Sequence, residues 1–255
     1  MNRLPRLYAH RGAGVELPEN TLPSFRLALE LGADAIETDA HLTRDGHVVL
    51  SHDPTGLRMC GVATRIEDAT LDEVRSWDAG APGYRVPTLE EALRELPAVA
   101  FNVDAKSQHP EMVERTLDVV RRVGAADRTL LASFDAATLR KVRRLGYPGQ
   151  TGLGQAEVLL LVALPRRVLA RWPLRGNAAQ LPYRIYGMDL GTRAVVDKCH
   201  ALGLEVHYWT VNEPALALRL LEAGADALMS DDPRVIAPVV RSFRDAAKGR
   251  PTASR

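Results

Sequence analysis

Eight short apolar runs alternate with amphipathic stretches along this 255-residue chain, and that order constrains its fold more than any other feature. The runs are Leu7 to His10, Ala35 to Asp39, Val99 to Asp104, Thr129 to Ser133, Thr151 to Gly154, Ala179 to Leu181, Glu205 to Val211 and Ala227 to Ser230. Stretches of helical period fall between them, at Leu22 to Leu31, Thr88 to Leu96, Pro110 to Val123, Ala136 to Leu145, Ala156 to Ala170, Thr192 to Leu202, Glu213 to Ala223 and Pro233 to Ala247. Strands separated by helices pair in parallel. Eight such units in a chain close to the ~250 residues typical of a (β/α)8 barrel predict that closed fold, a TIM barrel. An open doubly wound sheet would want a glycine-rich GxGxxG turn after its first strand, and HRGAG lacks that spacing. Gly32-Ala33-Asp34-Ala35-Ile36 and Gly224-Ala225-Asp226-Ala227-Leu228 echo one another as αβ turns with a glycine suited to a left-handed helix end.

The alternation lapses only after the second strand. Asp53-Pro54, Gly56, Gly61, Gly80 and Pro82-Gly83 mark a turn-rich insertion over approximately 53–87. One barrel domain over 1–255 is therefore expected, with a frayed tail over 248–255, where Gly, Pro, Ser and charges replace the apolar period.

Thirty-three basic against thirty-two acidic residues leave a net charge of +1, so no global field draws the chain to nucleic acid or to an anionic membrane. Any anion is recognised locally. Cys60 and Cys199 stand far apart without metal-type spacing, which excludes a disulfide framework and a structural zinc and suits a reducing cytoplasm. The start, MNRLPRLYAHRG, has no apolar signal core, and no run approaches the ~18 apolar residues of a membrane span. Peripheral contact needs only a few exposed apolar side chains, which a sequence does not place.

Acidic and imidazole residues crowd the predicted strand ends: His10-Arg11-Gly12, Glu37-Thr38-Asp39, His52-Asp53-Pro54 and Asp104. Side chains two apart on a strand share a face, so Glu37 and Asp39 can hold one cation between them. His52 follows the apolar Val48 to Leu50, which the Asp45-Gly46 turn folds back as a hairpin over the barrel mouth. Taken singly, a strand histidine packs in a core and an ExD pair caps a helix or lies at a surface. Together, His10, Glu37, Asp39, His52 and Asp104 would be costly to bury without a cation to pair the carboxylates. Oxygen ligands favour a hard ion such as Mg²⁺ or Ca²⁺ over zinc. Two histidines able to exchange protons near neutral pH, a cation and Arg11 point to phosphate-ester chemistry. His41 shares the parity of Asp39 and is a further ligand candidate or a solvated strand end. His47, His109 and His200 fall in turns or on helices, and His207 suits a core position.

AHRG, then Pro18-Glu19-Asn20-Thr21, Phe25, and GADAIETDAHLTRDGHVVLSHDP from Gly32 to Pro54 resemble the glycerophosphodiester phosphodiesterases. QLPYRIYG from Gln180, HALGLEVHYWTVNEP from His200 and LLEAGADALMSDDP from Leu220 are similar to that family's closing strands. The resemblance implies His10 and His52 as the catalytic acid/base pair, Glu37 and Asp39 on the metal, Arg11 on the phosphate and Trp209 as an aromatic wall for the alcohol. The family usually places a Glu-x-Lys on strand three, where this chain has Asp104-Ala105-Lys106. Asp104 thus becomes the third metal carboxylate on a stem shorter by one methylene, and Lys106 a second cation for the phosphate.

The activity this implies is hydrolysis of a small-molecule glycerophosphodiester to glycerol 3-phosphate and an alcohol, with one divalent cation, Mg²⁺ or Ca²⁺, and Mn²⁺ as a further candidate. Two alternatives remain. A lysophospholipase D-like diesterase would need an apolar groove, for which the insertion offers Leu57, Met59, Val62, Ile66, Leu71 and Trp77 unless these form their own core. A catalytically silent phosphate-binding barrel is suggested by Asp104 in place of glutamate. An amidohydrolase barrel would want His-x-His where His10-Arg11-Gly12 stands.

Overall fold

The computed structural model describes residues 4–171, 174–185 and 187–248, so the tail expected beyond Lys248 lies outside the described residues. The strands are β1 (Arg6–His10), β2 (Ala35–Leu42), β3 (Val48–Leu50), β4 (Ala100–Ala105), β5 (Thr129–Ala132), β6 (Gln150–Thr151), β7 (Ala178–Pro182), β8 (Arg184–Ile185), β9 (Met188–Asp189), β10 (Glu205–Trp209) and β11 (Ala227–Ser230). Eight of them pair in parallel in the order β6-β5-β4-β2-β1-β11-β10-β7. A parallel bridge between Gly152 and Ala178 joins the two ends of that row, so the sheet closes into the expected TIM barrel.

Local chemistry fixes the helices between the strands. In Met112–Val123 the apolar residues Met112, Val113, Leu117, Val119 and Val120 are buried, and Gly124, at φ 68°, ends the helix. The stretch expected as one helix from Ala156 to Ala170 divides into Gln155–Ala163 and Arg166–Leu169. Leu164 precedes Pro165, whose ring forbids helical backbone at that residue, and its ψ of 143° is extended. The two echoed αβ turns do the same work. Gly32 and Gly224 take φ of 104° and 99°. Asp34 then accepts from the Leu7 N–H and Asp226 from the Val206 N–H, each at 2.7 Å, so the turn is tied to the neighbouring strand.

Two large apolar clusters lie between barrel and helices, one around Ile36, Phe101 and Phe25, the other around Tyr208, Val206 and Leu228. Inside the barrel, Tyr8, Ala35, Ala227 and Met229 form a smaller plug. That plug supports polar side chains at the C-terminal ends of the strands. After β3, residues Ile66, Leu71, Val74, Trp77 and Val86 pack with Val49 into a separate small cluster, and Val62 packs partly against it. Leu57 is exposed. The insertion's apolar residues are therefore mostly spent on their own packing.

Candidate active site

Strand register assembles the site. Parallel pairing sets His10 beside Glu37 and Asp39 beside Asp104. The β2–β3 hairpin pairs His41 with Val49, and the Ser51 N–H donates to the Asp39 carbonyl at 3.0 Å, which returns His52 to the end of β2. Beyond β1 the chain must turn sharply. Arg11 takes φ 61° and Gly12 φ 91°. A Cβ on Gly12 would lie 2.5 Å from Ser24 Oγ and 3.0 Å from the Phe25 ring, so only glycine fits there.

Glu37, Asp39 and Asp104 are all buried. Arg11 Nε lies 3.1 Å from Asp39 Oδ2, and Lys106 Nζ bridges Asp39 Oδ1 at 3.2 Å and Asp104 Oδ2 at 2.9 Å. Three carboxylates thus face two cationic side chains. Glu37 Oε2 and Asp104 Oδ1 are left buried without a hydrogen-bond partner. Burial, then repulsion from Asp39 and Asp104, pushes the Glu37 carboxyl well above its ordinary pKa, and burial likewise raises Asp104. For Lys106, burial alone would lower the ammonium, but Asp104 and Asp39 outweigh it and the net direction is upward.

Each expected catalytic histidine is held by a carboxylate. His10 Nδ1 donates to Asp231 Oδ1 at 2.5 Å, and its Nε2 lies 3.8 Å from Glu37 Oε2. His52 Nδ1 donates to Asp53 Oδ1 at 2.7 Å. Such a bond at Nδ1 fixes ring orientation and leaves Nε2 to exchange a proton. Burial would raise both acids, yet hydrogen bonds from His10 and Asn212 hold Asp231 below the ordinary carboxylate range, and those from His52 and Arg58 do the same for Asp53. Trp209, at the end of β10, meets Phe134 edge to face at 6.0 Å, and Lys106 Nζ lies 5.3 Å from the Phe134 ring.

The remaining histidines separate. His41 Nε2 donates to the His52 carbonyl at 3.2 Å, which supports the hairpin, and burial lowers its pKa. His109 Nδ1 accepts from the Glu111 N–H, His200 bonds Asp226, and His207 is fully buried against Glu205.

Several contributors escaped the sequence reading. Asp231 and Asp53 lie within motifs read from the sequence but were given no role, because their bonds to imidazole depend on a last strand closing on a first and on a loop rotamer. Asn212 Nδ2 donates to Asp231 Oδ2 at 2.7 Å. Buried Asn20, at φ 56°, accepts from Thr38 Oγ1 at 2.7 Å and donates to Asp39 Oδ2 at 3.4 Å. Glu19 joins Arg11 at 3.3 Å to Arg58 at 2.6 Å. The signal for this pair was the run Pro18-Glu19-Asn20-Thr21, which carried the family resemblance but was given no role.

Could these residues hold a cation? Among the described residues no group of three His, Cys, Asp or Glu is close enough as it stands. The donor chemistry nonetheless fits a hard ion, because two buried carboxylate oxygens lack partners and the acids outnumber the adjacent cations.

Cations beside buried acids and carboxylate-backed imidazoles, at the mouth of a parallel barrel, define a TIM barrel with a site suited to an anionic substrate. Comparison with known proteins agrees. The model of the glycerophosphoryl diester phosphodiesterase family matches residues 10–235. A glycerophosphodiester phosphodiesterase of Caldanaerobacter subterraneus is 31% identical, over 91% of this chain and 96% of its own. Human lysophospholipase D is 24% identical over 94% of this chain and 87% of its own. The structure of an Oleispira antarctica phosphodiesterase in complex with the product sn-glycerol-3-phosphate superposes with a TM-score of 0.78 at 26% identity, covering 95% and 97% of the two chains. The chain belongs to the glycerophosphoryl diester phosphodiesterase family and is an enzyme.

Proposed function

We propose that the chain hydrolyses glycerophosphodiesters to glycerol 3-phosphate and an alcohol, with one divalent cation, Mg²⁺ or Ca²⁺, held by Glu37, Asp39 and Asp104. The observation that carries this reading is the pair of unpartnered buried oxygens, Glu37 Oε2 and Asp104 Oδ1, inside a carboxylate cluster next to Arg11 and Lys106. A cation bound there neutralises charge on the phosphate and polarises its oxygens.

The chain's own residues supply the rest. A phosphodiester anion repels a nucleophile, and Arg11 and Lys106 offset that repulsion as charge builds on the non-bridging oxygens. His10 and His52 divide the proton transfers, one taking a proton from the attacking oxygen and the other protonating the leaving alkoxide. Asp231 and Asp53 stabilise each imidazolium as it forms. Trp209 and Phe134 wall the side of the mouth where Lys106 lies. We place the enzyme in the cytoplasm, where the free thiols of Cys60 and Cys199 would stay reduced.

A hydrophilic alcohol fits better than an acyl chain. A cleft of about 410 Å³ beside Lys106 is lined by His41, Arg65, Glu67 and the loop Ser107–Pro110. The apolar space under His52, next to Trp77 and Ile66, measures only about 20 Å³. Glycerophosphocholine and lysophosphatidylcholine compared at equal concentration test the assignment. Glycerol 3-phosphate release from the former should dominate; faster release of lysophosphatidic acid from the latter would transfer the assignment to lysophospholipids.

A further inference from the structure

The helix Gln155–Ala163, of sequence QAEVLLLVA, carries apolar side chains all around its circumference, yet Leu161 is its single fully buried residue. Leu159 and Leu160 are 55% and 47% exposed, and Val168 of the next short helix is 43% exposed. Met188, on the β8–β9 ribbon, is 49% exposed. A helix starting at the C-terminal end of β6 and a ribbon following β7 lie side by side, because β6 and β7 are joined by the Gly152–Ala178 bridge. The start of this helix and the ribbon border the mouth of the barrel, whereas Arg166, Arg167, Arg171 and Arg175 lie towards its other end, where the chain returns to the start of β7.

Its charge is one-sided. Arg166, Arg167, Arg171, Arg175 and Arg184 are exposed and form no ion pair among the described residues. Most exposed arginines elsewhere are paired, as in Arg94–Glu90, Arg115–Glu111 and Arg193–Asp197, the exceptions among the described residues being Arg85, Arg140, Arg144 and Arg241, which are scattered over other elements. The acids of the segment, Glu157 and Asp189, are already engaged by Arg143 and Arg219. A chain of net charge +1 thus concentrates unpaired positive charge around exposed leucines.

We propose that this face docks on an anionic lipid bilayer. Apolar side chains enter the boundary between headgroups and acyl chains while guanidinium groups are drawn to anionic headgroups. A second copy of the chain is a poorer occupant, since it would bring the same unpaired arginines against these. Docking through this flank lays the side of the barrel along the bilayer and keeps the enzyme where products of lipid breakdown are released. The binding itself requires no catalytic step, so its failure and that of the proposed activity are separable.

Co-sedimentation of the full chain with phosphatidylcholine vesicles, with and without phosphatidylglycerol, tests the proposal at low and high salt. Binding is expected only to the phosphatidylglycerol vesicles and should be released by salt. Leu159→Ser/Leu160→Ser and, separately, Arg166→Glu/Arg167→Glu should each weaken it by about tenfold or more, with turnover of soluble glycerophosphocholine and the melting temperature unchanged. Absence of binding to phosphatidylglycerol vesicles, or binding indifferent to both double variants, would overturn the proposal. A dimer in solution that the variants dissolve, with no vesicle binding, would overturn it too and mark a protein interface instead.

Discussion

His10→Ala and His52→Ala are each expected to lower the turnover of glycerophosphocholine by roughly 10²–10⁴-fold, the contribution of one proton-transfer group. Both rings are tied through Nδ1, to Asp231 and Asp53, so each presents one defined nitrogen for proton exchange. The closer contacts of the carboxylate cluster run through Arg11, Lys106 and Asn20, and His10 Nε2 approaches Glu37 Oε2 only to 3.8 Å. Stabilisation by Mg²⁺ or Ca²⁺ should therefore survive in both variants. The double variant should lose less than the product of the two effects, because base and acid act in one transition state. Near-wild-type rates in either single variant would remove that histidine from the chemistry.

A divalent cation should raise the melting temperature more at alkaline than at acidic pH. Burial and mutual repulsion hold the folded-state pKa values of Glu37 and Asp104 above those of the unfolded chain. Without a cation, the folded state then binds protons more tightly than the unfolded state. Stability falls as pH rises from the unfolded carboxylate pKa through the raised folded values. Cation binding reverses the penalty where the carboxylates are ionised and is weakened by protons where they are not. A cation at ~100 times its dissociation constant contributes about 2.7 kcal/mol, a shift on the order of 5–10 °C for a chain of this size. Glu37→Gln should melt higher than the parent when cation-free at alkaline pH and should lose most of the shift. Scanning calorimetry with and without Mg²⁺ or Ca²⁺ reads both effects; equal shifts at both pH values, or in the variant, would remove Glu37 from cation binding.

The barrel was legible because its evidence is local and repeated. Each strand is a short apolar run, most αβ turns carry a glycine, as at Gly32, Gly124 and Gly224, and register follows from the alternation along β2. Glu37, Asp39 and Asp104 could be placed on one face by parity, and their neighbours on β1 and β4 pair as that parity requires. What sequence could not give was contact between residues far apart in the chain. Asp231 reaches His10 only because β11 closes on β1, and Asn212 reaches Asp231 only across the β10 and β11 loops. The helix break at Leu164 was written in Pro165 and outweighed by the leucine-rich run around it. Lys106 kept the expected parity, but its bridge between Asp39 and Asp104 depends on a long side chain choosing among acids, which no spacing rule sets.

The ³¹P spectrum of glycerophosphocholine incubated with the purified chain in ¹⁸O-enriched water addresses the central claim most directly. The account predicts that Mg²⁺ or Ca²⁺ converts the diester resonance to that of glycerol 3-phosphate carrying the isotope shift of one incorporated ¹⁸O, and that EDTA abolishes the conversion. A diester resonance unchanged with every cation would contradict it.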